Sequence, residues 1–117
     1  TKVMILNDKY ESQMKKGVFD MLVLKLLEQE AKYGYQIINE LKEKSSGRFT
    51  LKEGTLYPIL YRLEDDTFVE SKWSEAKGKK VPRKYYQITE KGKVALSDLE
   101  KLWQEISGGV ETILKER

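Results

Sequence analysis

The chain is 117 residues long, room for one compact domain with appendages rather than two ordinary domains. It contains no cysteine and no histidine, which excludes disulfide frameworks, thiolate or imidazole metal sites, and catalysis by the usual nucleophile and histidine pairs. A net charge of +3 is too small to argue for nucleic acid by itself, so the information lies in where the charge sits.

Residues 1–16 hold a short apolar stretch, Val3 to Leu6, among polar residues, with neither period clean; they are read as an N-terminal arm. The arm lacks the cationic, apolar, small-residue order of a signal peptide, and no apolar run approaches the roughly 18 residues that span a membrane. A cytoplasmic location with no membrane partner is expected, and an opening Thr1 in place of Met is what trimming or processing leaves. From Gly17 to about Glu28, Val18, Phe19, Met21, Leu22, Val23, Leu24, Leu26 and Leu27 predict a helix apolar nearly all round, central to a core. A second helix is expected from about Tyr33 to Lys44, with Gly34, Ile37, Ile38 and Leu41 on one face and Gly47 suited to the left-handed position beyond its end.

A short connection leads to a third periodic segment, whose inward stripe is Leu56, Ile59, Leu60 and Leu63. Its opposite face carries Gly54, Tyr57, Pro58 and Tyr61, with Thr55 and Arg62 at the edge. Pro58 leaves two starts open: a longer helix from near Lys52, capped by Thr50 and kinked at the proline, or a shorter one capped by Thr55. The longer helix is the expectation. Two helices joined by a short turn, the second with aromatic, hydroxyl and cationic side chains outward, form the pattern of a helix-turn-helix and its recognition helix.

Phe68 to Ser74 and Arg83 to Ile88 alternate polar with apolar residues and predict a β-hairpin, with Trp73 in the core beneath it. Between and beside them, Lys77 to Lys84 holds five cations and no acid, so the rest of the chain nets 3 − 5 = −2. The basic character belongs to this one loop, at a reach that suits phosphates. From Thr89, as N-cap, the chain is helical again. Leu96, Leu99, Trp103, Ile106, Val110 and Ile113 are spaced 3, 4, 3, 4, 3, the heptad spacing of a helix that pairs with another. Ser107, Gly108 and Gly109 weaken it, but the phase is unchanged across them, so a helix that bends or frays is expected rather than one that ends.

The expected fold is mainly α with a small β-hairpin: an arm (1–16), a winged helix-turn-helix (17–88) and a C-terminal dimerisation helix (89–117). Duplex DNA is the expected partner. Lys52, Thr55, Tyr57, Tyr61 and Arg62 would meet it from the recognition helix, and Lys77, Lys79, Lys80, Arg83 and Lys84 from the wing. A winged helix serving as a protein-protein module is the alternative, and it requires neither groove-facing hydroxyls nor a cationic tip. An enzyme ranks third: Glu64, Asp65 and Asp66 read as a solvated helix end, and no phosphate loop, cofactor motif or metal-ligand spacing is present.

Three stretches resemble the PadR transcriptional regulators: Tyr33-Gly34-Tyr35-Gln36-Ile37, then Gly54-Thr55-Leu56-Tyr57-Pro58 with Arg62-Leu63-Glu64, then Arg83-Lys84-Tyr85-Tyr86-Gln87-Ile88-Thr89. The resemblance covers about residues 14 to 106 and implies a winged helix, homodimerisation through the C-terminal helix, and repression of detoxification or efflux genes. It also implies a second reading of Trp103, eleven residues after Gly92. Beyond packing in a dimer core, a tryptophan at this place would, with Leu99 and Ile106, stack a flat aromatic or hydrophobic effector between subunits. The chain departs from the family pattern at Asp66-Thr67, where a glycine is frequent, so the turn must avoid a left-handed residue or strain Thr67. Pro82 is a second departure, beside the Arg-Lys pair of the wing.

Overall fold

The computed structural model describes residues 5–75, 78 and 80–116. Five helices and three short strands follow one another as α1 (Asp8–Lys16), α2 (Phe19–Gln29), β1 (Lys32–Tyr33), α3 (Gly34–Lys44), α4 (Glu53–Asp65), β2 (Val69–Trp73), β3 (Lys84–Ile88) and α5 (Glu90–Leu114). Part of the N-terminal arm is thus a helix. Asn7 caps α1 by accepting from the Lys9 N–H at 3.1 Å, but the helix buries no residue of its own. It is tethered through Lys15, whose Nζ donates to the Arg48 carbonyl at 2.6 Å.

α2 is central, as its all-round apolar sequence predicts. Phe19, Val23, Leu24, Leu26 and Leu27 are buried in one cluster with Ile37 and Leu41 of α3, the inward stripe of α4, Val69, Tyr86 and Leu96. The sheet is larger than expected: β1 adds a third strand in the order β1-β3-β2, with Lys32 opposite Tyr86 and Tyr33 opposite Tyr85. Lys32 is only 1% exposed, and its Nζ donates to the Leu26 carbonyl at 2.8 Å. That carbonyl lies in the last turn of α2, where the helix itself has no donor to offer, and the Glu40 carboxylate at 3.7 Å balances the buried charge.

α4 takes the longer of the two expected courses and runs through Pro58. Its N-cap is Lys52, without a side-chain cap, so Thr50 does not play the capping role expected of it; the Lys52 carbonyl takes the Thr55 and Leu56 N–H groups instead. At the other end the chain leaves through Asp66 with Thr67 in the left-handed region, φ 64°. The Phe68 N–H bonds the Leu63 carbonyl and the Thr67 N–H bonds the Glu64 carbonyl, both at 2.9 Å. This paired closure needs a left-handed residue, and here a β-branched one takes the strain.

β2 and β3 pair from Val69 opposite Ile88 to Trp73 opposite Lys84. Trp73 is not core: it is 63% exposed. Alternation puts it on the face of Val69, which is buried, but at the last paired position, past the end of the helical layer that covers that face.

α5 is one helix of 25 residues that continues across Ser107–Gly109. Thr89 caps it by accepting the Gly92 N–H at 2.9 Å, and the Thr89 Oγ1 donates to the Thr67 carbonyl at 2.7 Å. A Cβ on Gly92 would stand 2.0 Å from the Phe68 carbonyl oxygen, so only glycine lets α5 start this close to the turn after α4. Leu96, expected in a dimer interface, is 2% exposed and belongs to the protomer's own core, because the first turns of α5 lie on α2 and the sheet. Leu99 packs partly against that core, whereas Trp103, Ile106, Val110 and Ile113 lie exposed beyond it.

Candidate nucleic-acid interface

The outward side of α4 carries Lys52, Thr55 and Tyr61, all exposed. Tyr57 differs from expectation. It is half-buried, and its hydroxyl lies where a Cβ on Gly34 would stand 2.6 Å away, so the bare backbone at the start of α3 makes room for it. Its ring is tilted against Tyr61, with centroids 6.1 Å apart. The hydroxyl is therefore turned toward α3 and not toward a groove. Arg62 is exposed, and its guanidinium pairs with Asp20 of α2. It ties the recognition helix to the core helix.

In the wing, Lys80 is exposed, while Lys77 and Lys79 lie outside the described residues. Arg83 and Lys84 are held in place by aromatic rings. The Arg83 guanidinium carbon sits 4.4 Å from the centroid of Tyr33, and the Lys84 Nζ sits 5.6 Å from that of Tyr61 and 5.3 Å from that of Tyr86. Burial alone would lower the Lys84 pKa, but the Tyr86 hydroxyl, Glu64 and Tyr61 around it hold it above the ordinary lysine value. Burial raises the Tyr86 pKa, against the opposing pull of Lys84, which stands beside the hydroxyl but outside hydrogen-bond geometry.

Sequence reasoning missed three contributors to this face. Tyr33 and Tyr35 flank the glycine that accepts Tyr57, and Trp73 overhangs the gap between wing and α4. The Tyr-Gly-Tyr spacing was a usable signal for the first two, because a glycine opening a helix between aromatics marks a close approach. Among the described residues no group of three or more acidic side chains is disposed to hold a metal ion, and no helix is long and apolar enough to cross a membrane.

An exposed recognition helix beside a wing whose basal cations are fixed is the layout of a reader of duplex DNA. Residues 23–98 match the model of the transcriptional regulator PadR-like family, more than half of the chain. The chain belongs to this family. Among its relatives, the negative transcriptional regulator PadR of Bacillus subtilis is 31% identical over 81 residues, covering 69% of this chain and 44% of its own length. The chain thus spans less than half of that regulator. An uncharacterised protein of Lysinibacillus sphaericus is 34% identical over 106 residues, covering 89% of this chain and 94% of its own. In structure, a PadR-family regulator from Eggerthella lenta superposes with a TM-score of 0.83 at 31% identity, covering 94% of this chain and 93% of its own. The protein is a PadR-family DNA-binding transcriptional regulator of winged helix-turn-helix form.

Proposed function

We propose that this PadR-family regulator works in the cytoplasm as a homodimer joined through the distal part of α5, and that it represses the genes it binds. On this reading residues 17–88 form the reader, 89–117 the dimerisation element and 1–16 an arm. The observation that carries it is the exposed apolar stripe of Trp103, Ile106, Val110 and Ile113 on a helix whose first turns are buried in the protomer. Such a stripe at heptad spacing requires a partner, and a second copy supplies an identical one. Pairing there would set two recognition helices on half-sites about one helical turn, roughly 34 to 36 Å, apart.

Within the reader, Lys52, Thr55 and Tyr61 are assigned to bases and phosphates, and Lys77, Lys79, Lys80, Arg83 and Lys84 to phosphates. Three wing cations per subunit reaching phosphates would neutralise about six in the dimer, so log K against log salt should have a slope near −5. A gel shift on the promoter beside its own gene tests the reading. A specific, salt-sensitive complex with two protomers is expected. A slope near zero, or no complex at low salt, overturns it and favours a protein-protein module.

An effector is assigned to the neighbourhood of Trp103. Trp103 borders an open cavity of about 440 Å³ whose apolar wall is Leu6, Tyr10, Met14, Val18 and Phe49 and whose rim carries Asp8, Glu11, Lys15 and Arg48; Leu99 and Ile106 do not line it, so their contact with an effector rests on the pairing of two subunits. Such a ligand relieves repression only by binding the DNA-incompetent arrangement more tightly. Titration with planar dyes should change tryptophan emission in the wild type and not in Trp103→Phe. A change that persists in the variant argues against the site.

A further inference from the structure

The wing and the recognition helix are separated by an open groove of about 450 Å³, and its walls do not look like those of an ordinary protein surface. Trp73 overhangs it from β2, Tyr57 and Tyr61 line it from α4, and Pro82, Arg83 and Lys84 close it from the wing. An indole left 63% exposed, on the strand face whose other end is buried at Val69, keeps most of its apolar area in solvent. Arg83 and Lys84 stand over the rings of Tyr33 and Tyr61, and neither forms a salt bridge among the described residues. A cation already restrained over an aromatic ring loses less side-chain freedom when it meets an anion than one on a mobile loop. Glu53 is the one acid among the residues that line the groove.

We propose that this groove seats one sugar–phosphate strand of duplex DNA, with the Trp73 ring packed on a deoxyribose while Arg83 and Lys84 take neighbouring phosphates. The proposal rests on the DNA-binding reading and assigns Trp73 to it. The occupant follows from position and chemistry. The groove opens beside the outward side of α4, which is the side that meets the duplex, and it combines two fixed positive charges with a flat apolar wall. A sugar–phosphate chain carries both complements, an anion and an apolar sugar face, at one-nucleotide intervals. A small aromatic molecule would use the rings but give neither cation an anion of its own; Arg83 would stay unpaired and Lys84 would have only the field of Glu64.

Because a sugar contact is independent of sequence, the test uses a mixed-sequence duplex of about 30 bp at low salt. Trp73→Ala should weaken binding roughly tenfold with the salt slope unchanged, since no charge is removed. Arg83→Gln should reduce the magnitude of the slope by about 2 per dimer. Trp73→Phe keeps an aromatic wall and should retain most of the affinity, while abolishing the change in tryptophan emission that the duplex produces in the wild type. Trp73→Ala binding as tightly as wild type at an equal Tm overturns the proposal, and so does an emission change that survives in Trp73→Phe. If the wild type binds no duplex at all, the DNA-binding reading falls with it; if the wild type binds and Trp73→Ala matches its affinity, only the groove assignment falls.

Discussion

Gly92→Ala is the sharpest mechanical test of how α5 is joined to the reader. The new methyl would meet the Phe68 carbonyl oxygen at 2.0 Å and the Ile88 Cγ1 at 2.7 Å, and the first of these is backbone that cannot swing aside. To reach even a tight 3.0 Å contact, the start of α5 must retreat by about 1 Å. The Thr89 N–H bond to the Phe68 carbonyl, now 3.0 Å, and the Thr89 Oγ1 bond to the Thr67 carbonyl, now 2.7 Å, both lie in the path of that retreat. Losing two hydrogen bonds at about 1 kcal/mol each, on top of 1–3 kcal/mol of overpacking, gives a loss of about 3–5 kcal/mol. Urea unfolding at fixed protomer concentration measures it, because self-association would otherwise enter the apparent stability. Gly108→Ala is the matched control: nothing lies within 4 Å of its Cβ, and alanine in mid-helix should add up to about 1 kcal/mol. A loss below about 1 kcal/mol for Gly92→Ala would refute the close-approach argument.

Three further outcomes are expected. Thr67→Gly removes the strain of a β-branched residue at φ 64°, worth about 1–2 kcal/mol, against up to about 1 kcal/mol of added unfolded-chain entropy. A modest rise in Tm is expected, and a fall would show that the Thr67 side chain itself contributes. Lys32→Met strips the Leu26 carbonyl of its donor, while Glu40 keeps Lys44 at 3.5 Å, and should cost about 1–3 kcal/mol in chemical denaturation; a neutral result would mean that apolar packing compensates fully. For Tyr86→Phe, the lost hydroxyl has no hydrogen-bond partner among the described residues, so stability at pH 7 should hold or rise. The folded state raises the Tyr86 pKa by burial, so wild-type stability is intact below the ordinary value of 10.0 and declines as pH climbs through it toward the folded value. Tyr86→Phe should flatten that decline above pH 10, and an identical pH profile would count against the burial effect.

Most of the architecture was legible because it is written in local periods. The stripes of α3 and α4, the all-round apolar α2, the alternating hairpin and the Thr89 cap each depend on residues within a turn or two of one another. What escaped depends on distance. β1 is two residues long, too short to show alternation, and one of them is a lysine whose burial depends on a helix end six residues upstream. Arg62 is the exposed cation its position predicts, but its pairing with Asp20, 42 residues away, leaves no local signal. Trp73 and Leu96 fail in opposite directions for one reason: pattern tells which face a side chain is on, but not where along that face the covering layer stops. Tyr57 turns inward because a glycine on another helix leaves a space for it, and no property of its own segment records that space.

The length of α5 also has a consequence for how finely the two readers can be positioned. Its 25 residues span about 37 Å, but only the stretch from Thr89 to about Leu99 is fastened to the protomer. A rod clamped at one end converts angle into distance: the free arm from Leu99 to Leu114 is about 22 Å, so a tilt of about 5° displaces its far end by about 2 Å. Because Gly92 already touches backbone, that clamp has no slack in which to lose a tilt. Any strain arriving along the rod is delivered to Phe68 and Thr67, two of the three residues that join the recognition helix to the wing.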